Sequence, residues 1–311
     1  MTPDSRAPAA SRSRSAGVAA LLICAVLWSL NGPLIKLLTL QDGGVPGVTI
    51  ACYRSLLGGL LFTPFALRHL GTLRCTEVGW SIGSVASFTL MTACFVIATT
   101  QTAAANVIIL QYTSPLWVFL LSPLLLREKP GWTEGLVLSL AMAGVAVIFV
   151  GGDPSGTPAL FVALASGFGY GTLTVMLRGL RAVNPTVVTW LNCMGSGVLL
   201  VPAVMWWGVF QLTPAQWGLV ILLSVVQFAL PYVLFSWALQ RVEAHRAALI
   251  VLLETVLNPL WTYLLVREAV PSATLVGGPL ILLSVAGWVL LTWRREARSA
   301  RREARCVQKD A

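Results

Sequence analysis

The sequence predicts an all-α polytopic membrane protein, with ten transmembrane helices arranged as two inverted five-helix repeats. Three observations lead there. Of 311 residues, 57% are hydrophobic and only 11% charged, with a mean hydropathy of +0.80, whereas soluble proteins run at about 45–50% apolar and about 25% charged. Too few polar residues remain to coat a surface facing water. Apolar runs recur at the length, about 20 residues, that crosses a hydrocarbon layer about 30 Å thick. The chain also matches itself at a shift of 140 to 144 residues.

Residues 1–16 are rich in Ser, Ala, Pro and Arg without an apolar period, and are expected to form a disordered cytoplasmic tail. A cleaved signal peptide is not expected, because the apolar run that follows exceeds a signal core and many more come after it. Ten runs read as spans, at 17–37, 48–67, 78–99, 102–125 and 132–151, then at 157–177, 186–208, 215–239, 245–266 and 271–293. The first repeat is therefore set at 17–152 and the second at 157–293, with a basic cytoplasmic tail over 294–311. No linker is long enough for a soluble domain. The loops divide the 21 basic residues eighteen to three between the two sides, which places both termini in the cytoplasm. One span more or fewer would scramble that asymmetry.

A shift of 144 lays Ala103–Leu121 on Ala247–Leu265 with eight identities in nineteen, Pro115, Leu116 and Trp117 among them. A shift of 140 instead aligns Phe95 with Phe235 and Arg127-Glu128 with Arg267-Glu268. The two registers differ by about one helical turn, so the same helix face corresponds in both. Because five is odd, the second copy enters the membrane from the opposite side, the arrangement that alternating-access carriers use.

The stretches LWSLNGPLIK (27–36), YRSLLGGLL (53–61), AAANVIILQYTSPLWVFLLSPLLLREK (103–129), ALQRVEAHRAALIVLLETVLNPLW (238–261) and GGPLILLSVAGWVLL (277–291) resemble the EamA family of the drug/metabolite transporter superfamily, over about residues 17–293. The resemblance implies ten helices in two inverted EamA repeats, cytoplasmic termini, and export or exchange of small metabolites. The family's second repeat usually carries Leu-Glu-Pro, matched here by Leu253-Glu254 with Thr255 in place of the proline.

Eleven of the twelve acidic residues fall in tails, loops or span ends, but Glu254 lies inside the ninth span. An ionised group at that depth costs about 2.5–3.5 kcal/mol or more and is by default a functional candidate. Asn258 and Trp261 follow on the same face, at i+4 and i+7. The structural alternative is a protonated Glu254 hydrogen-bonded between helices. On the matching face of the fourth span, Gln111, Ser114 and Pro115, with Tyr112 alongside, would turn freed carbonyls toward a polar cavity, or else form a packing kink. Trp28 and Asn31 precede Gly32-Pro33 in the first span. Gly167, Tyr170 and Thr174 share a face of the sixth, where Gly167 and Gly171 also make a close-packing GxxxG match. Gln227 lies in the eighth. The expected substrate-binding set is therefore Trp28, Asn31, Gln111, Tyr112, Tyr170, Gln227, Glu254 and Asn258, set against packing or interhelical bonding for each. Lys36 and Arg54, near outer span ends, are expected to snorkel, set against a role in guiding anionic substrates.

Other functions are poorly supported. Seven of the 21 basic residues crowd the last 18 positions, so the +9 charge is largely a tail that would meet anionic lipid rather than nucleic acid. The six cysteines form no CxxC pair, so neither a metal site nor a disulfide framework is expected. Gly79–Gly83 fits GxSxG but sits in an apolar helix without a base, and no phosphate loop occurs. No enzyme activity and no cofactor are expected. The reading is a secondary transporter of small organic metabolites, such as amino acids or related compounds, in the inner or plasma membrane. Its partners are a small-molecule substrate and the bilayer, and a homodimer is compatible with the sequence. A non-transporting scaffold or receptor of the same fold is the alternative.

Overall fold

The structure, a computed structural model, describes residues 6–41, 43–125, 132–151, 156–239, 241–242, 247 and 250–309. Among them there are helices and no strand. In the first unit, α1 (Arg6–Ser29) and α2 (Asn31–Leu40) form one span broken at Leu30, followed by α3 (Gly47–Leu67) and α4 (Val78–Gln101). The next span divides into α5 (Ala104–Gln111) and α6 (Ser114–Leu125), and α7 (Trp132–Val150) closes the unit. The second unit opens with α8 (Thr157–Gly179), α9 (Pro185–Trp207) and α10 (Pro214–Leu222). A wide-pitched π-helical stretch, Leu223–Ala229, leads into α11 (Leu230–Leu239), followed by α12 (Leu253–Val266) and α13 (Ser272–Lys309).

Eight of the described stretches are long and apolar enough to cross a membrane. The helices α7 and α12 occupy the places of the fifth and ninth expected spans; parts of the sequence before each, at 126–131 and 243–249, lie largely outside the described residues. One expectation is corrected. Residues 6–16 continue α1 instead of forming a disordered tail, because Ala and Arg extend an already nucleated helix at little cost. The basic C-terminal segment likewise prolongs α13 to Lys309.

Helix starts follow local chemistry. Before α9, Asn184 Oδ1 accepts the Thr186 N–H at 2.9 Å and Pro185 fills the first helical position. Before α10, the Thr213 N–H donates to Gln216 Oε1 while Thr213 Oγ1 accepts the Gln216 N–H, a reciprocal cap.

Lipid supplies no hydrophobic drive between helices, so association rests on close packing, often through small residues. At the α7–α13 crossing, a Cβ on Gly144 would stand 2.6 Å from the Gly277 carbonyl oxygen, and one on Gly277 2.5 Å from that of Gly144. A Cβ on Gly167 or Gly171 of α8 would likewise stand 2.7 Å from the carbonyl oxygen of Leu110 or Ser114, respectively. The pairings between units obey a pseudo-twofold rule. The helix α3 packs on its counterpart α9 and α7 on α13, while α4 on α8 is mirrored by α11 on α1, and α5–α6 on α8 by α12 on α1. Two similar units paired in this way are the inverted repeat expected from the sequence.

At one end of the bundle a clasp joins three segments. Arg267, in the left-handed conformation at φ 58°, ψ 24°, ends α12 and turns the chain. Glu268 then pairs with Lys36 at 2.6 Å through Oε2 and accepts the Ala104 N–H at 2.8 Å through Oε1. Lys36 also donates to the Thr102 carbonyl at 2.9 Å. The expectation that Lys36 snorkels is thus corrected: Glu268 and a free carbonyl at the α4–α5 junction offer the ammonium better partners than the interface does.

Two outcomes follow. Gly144→Leu should lower the thermal melting point of the detergent-purified protein by the equivalent of about 1–3 kcal/mol of overpacking, while Gly218→Ala, where a Cβ meets nothing within 4 Å, should not. In the clasp, Glu268→Gln keeps an acceptor for the Ala104 cap and removes the ion pair, whereas Glu268→Ala removes both. The Ala variant should melt lower than the Gln variant, by the value of a helix cap, about 1 kcal/mol; equal melting points would deny the cap.

Candidate functional site

Four spans depart from regular helix: the first at Leu30, the fourth at Tyr112–Thr113, the eighth over Leu223–Ala229 and the ninth just before Leu253. Irregular backbone at membrane depth is tolerated only where protein or a cavity satisfies it. At the fourth-span break the Thr113 hydroxyl donates to the Leu110 carbonyl at 2.7 Å, and at the ninth the Thr255 hydroxyl donates to that of Leu252, also at 2.7 Å. Thr255, standing where the family usually has proline, therefore closes the local turn itself, with its own N–H also bonded to the Leu252 carbonyl at 3.1 Å. Tyr112 and Leu252 correspond at the 140 shift. Pro115 and Pro259 correspond at 144, yet Pro115 opens α6 while Pro259 lies inside α12. The second copy starts its helix one turn earlier, which accounts for the two registers in the sequence.

The breaks bring polar side chains together in three groups. In the first, the Tyr112 hydroxyl donates to Glu254 Oε2 at 3.2 Å, and Tyr170 of α8 lies within electrostatic reach of both. All three keep solvent-accessible surface at mid-span. In the second, the Trp28 ring meets Tyr232 at 5.5 Å and Phe235 at 5.3 Å, while Gln227, buried on the π-helical stretch, donates to the Trp28 carbonyl at 3.4 Å. In the third, Asn31 Oδ1 accepts from Arg54 at 2.9 Å, and Arg54 also donates to the Thr92 hydroxyl.

Asn258 is fully buried against α2. A Cβ on Gly32 would stand 2.5 Å from its Oδ1, so only glycine admits this approach, and neither amide atom of Asn258 has a hydrogen-bond partner among the described residues. Gln111 sits half-buried beside Tyr112, its carbonyl facing Gly167. Thr174 returns its hydroxyl to the Tyr170 carbonyl at 2.9 Å. Gly79–Gly83 is regular helix within α4, not the strand-turn-helix elbow that a nucleophilic serine needs.

The expectation that Arg54 snorkels is corrected. Its side chain turns inward, only 4% exposed, with its guanidinium 5.4 Å from the Phe228 ring centre. Asn31 and Thr92, on two other helices, supply the acceptors that hold it there. Sequence reasoning also missed Tyr232, whose ring lies 5.1 Å from Phe228 and which is within electrostatic reach of Arg54, Tyr170 and Glu254. For Arg54 the missed signal was the one used for Glu254, an ionisable residue within an apolar span. Tyr232 carries no such signal.

The chain matches the profile of the EamA-like transporter family twice, over residues 15–150 and 157–290. An uncharacterized transporter of Archaeoglobus fulgidus is 28% identical over 280 residues, covering 89% of this chain and 96% of its own. The pseudopaline exporter CntI of Pseudomonas aeruginosa is 25% identical over 276 residues, covering 86% and 94%. A crystal structure of a protein 20% identical superposes with a TM-score of 0.60 over 91% of this chain and 99% of that one, a likeness of fold. With the family profile laid over each unit in turn, the chain belongs to the EamA-like transporter family: it is a multi-pass membrane transporter, not an enzyme.

Proposed function

We propose that the protein is a secondary transporter that exports or exchanges small organic metabolites, such as amino acids or related compounds, by alternating access through a central cavity between its repeats. The observation that carries this is Glu254, a carboxylate held by the Tyr112 hydroxyl where two broken helices meet. Discontinuous helices at a repeat interface are where carriers bind substrate, and an ionisable group at that depth marks a functional site by default. The substrate-binding residues are Trp28, Asn31, Gln111, Tyr112, Tyr170, Gln227, Glu254 and Asn258. The protein resides in the plasma membrane with both termini cytoplasmic, the basic end of α13 meeting anionic lipid. Similarity to the pseudopaline exporter CntI supports outward movement.

Untargeted metabolomics of cells overexpressing the chain tests the function without a substrate guess. Wild type should change the external pool of a small set of metabolites, and both Glu254→Gln and Glu254→Ala should abolish the change while membrane abundance stays near wild type. If Gln transports normally and Ala does not, the group is structural; if no metabolite moves into the medium or across proteoliposomes, the protein is a scaffold. For topology, cysteine introduced at Ser155 in a background without native cysteines should label with an impermeant maleimide from outside. Protection there, with external labelling at a restored Cys306, would reverse the orientation.

A further inference from the structure

Arg54 lies in the first half of α3, buried among apolar spans. Its two terminal nitrogens donate to neutral acceptors, Asn31 Oδ1 and Thr92 Oγ1, and its Nε has no partner. Among the described residues it joins no ion pair. A buried guanidinium that meets no opposite charge costs several kcal/mol, and buried charges are as a rule paired. Glu254 does not pair with this one: its hydrogen bond goes to Tyr112. Arg54 instead stands at one end of an aromatic wall. Phe228 lies against the Arg54 guanidinium, Tyr232 packs on Phe228 and on Trp28, and Tyr232 is within electrostatic reach of both Arg54 and Glu254.

The geometry points to a two-pole substrate site. Arg54 receives the anionic group of a dipolar molecule, a carboxylate, sulfonate or phosphonate, Glu254 receives its ammonium group, and the carbon frame lies on Trp28, Tyr232 and Phe228. A plain amine would leave Arg54 uncompensated and a plain acid would meet the repulsion of Glu254. A dipolar substrate neutralises both, so the loaded site carries no net charge as it turns between faces. Arg54 is planar and five-donored, suited to an oxyanion even with two nitrogens already engaged.

This inference rests on the transport reading, and the test separates the two. Proteoliposomes holding the full-length protein are loaded with a small-molecule extract of the expressing cells, and effluxed compounds are identified by mass spectrometry and sorted by charge type. Wild type should release compounds bearing both an oxyanion and an amine. Arg54→Gln should slow their release about tenfold or more, the value of one charge-assisted contact, while release of plain amines rises; Glu254→Gln should abolish dipolar release and let plain acids appear. Arg54→Lys, which keeps the charge, should retain the dipolar preference at a lower rate. A merely structural Arg54 would lower release of every class together. Efflux from wild-type vesicles confined to amines, acids or uncharged compounds overturns the two-pole site and leaves the transporter standing, as does unchanged dipolar efflux in Arg54→Gln. No efflux of any compound from folded wild type overturns both. Should the Arg54 variants fail to fold, the charge classes released by wild type decide alone.

Discussion

A bilayer interior donates and accepts no hydrogen bonds, so every backbone group that leaves its helix must be met by another part of the same chain. The protein opens its backbone in four spans, and at three of the openings a side-chain partner is visible. Thr113 and Thr255 return their hydroxyls to the carbonyl three residues back, and Gln227 reaches from the π-helical stretch to the carbonyl of Trp28 just ahead of the Leu30 break. The polar side chains of the site are there because the backbone is broken there. A fold of ten unbroken helices would carry neither.

The same constraint explains why small residues do so much of the packing. Where Gly144 meets Gly277, and Gly167 and Gly171 meet the broken fourth span, backbones approach closely enough for dispersion to hold them without burying polar groups. Because α8 touches both halves of that broken span, it is bound to the first unit at the level where the site lies. Its counterpart contact, α12 against α1, ties the second unit to the first across the pseudo-twofold axis. The proposed substrate contacts and the contacts between helices therefore share side chains, with Asn258 wedged against Gly32 as an example.

Much of this was legible in the sequence. Run length gives the spans, the 140 and 144 shifts give the repeat, and Glu254 stands out as an acid where no acid is affordable. Arg54 and Lys36 were misjudged for one shared reason. Whether a long cation near a span end reaches outward or inward depends on acceptors on other helices, here Asn31 and Thr92 for one, Glu268 and the Thr102 carbonyl for the other. No periodicity within a single helix contains that information. Tyr232 and the π-helical stretch were hidden likewise, since the eighth span reads as an unremarkable apolar run. The placement of Pro115 and Pro259 resolves what sequence left as two registers, because identity follows the prolines while the backbone follows the breaks.

The clasp at Glu268 has a kinetic meaning. One carboxylate closes the end of α2 through Lys36 and the start of α5 through the Ala104 amide, using a separate oxygen for each. Rotation of the Glu268 side chain therefore frees both segments in a single event, whereas movement of the Lys36 side chain alone frees only α2.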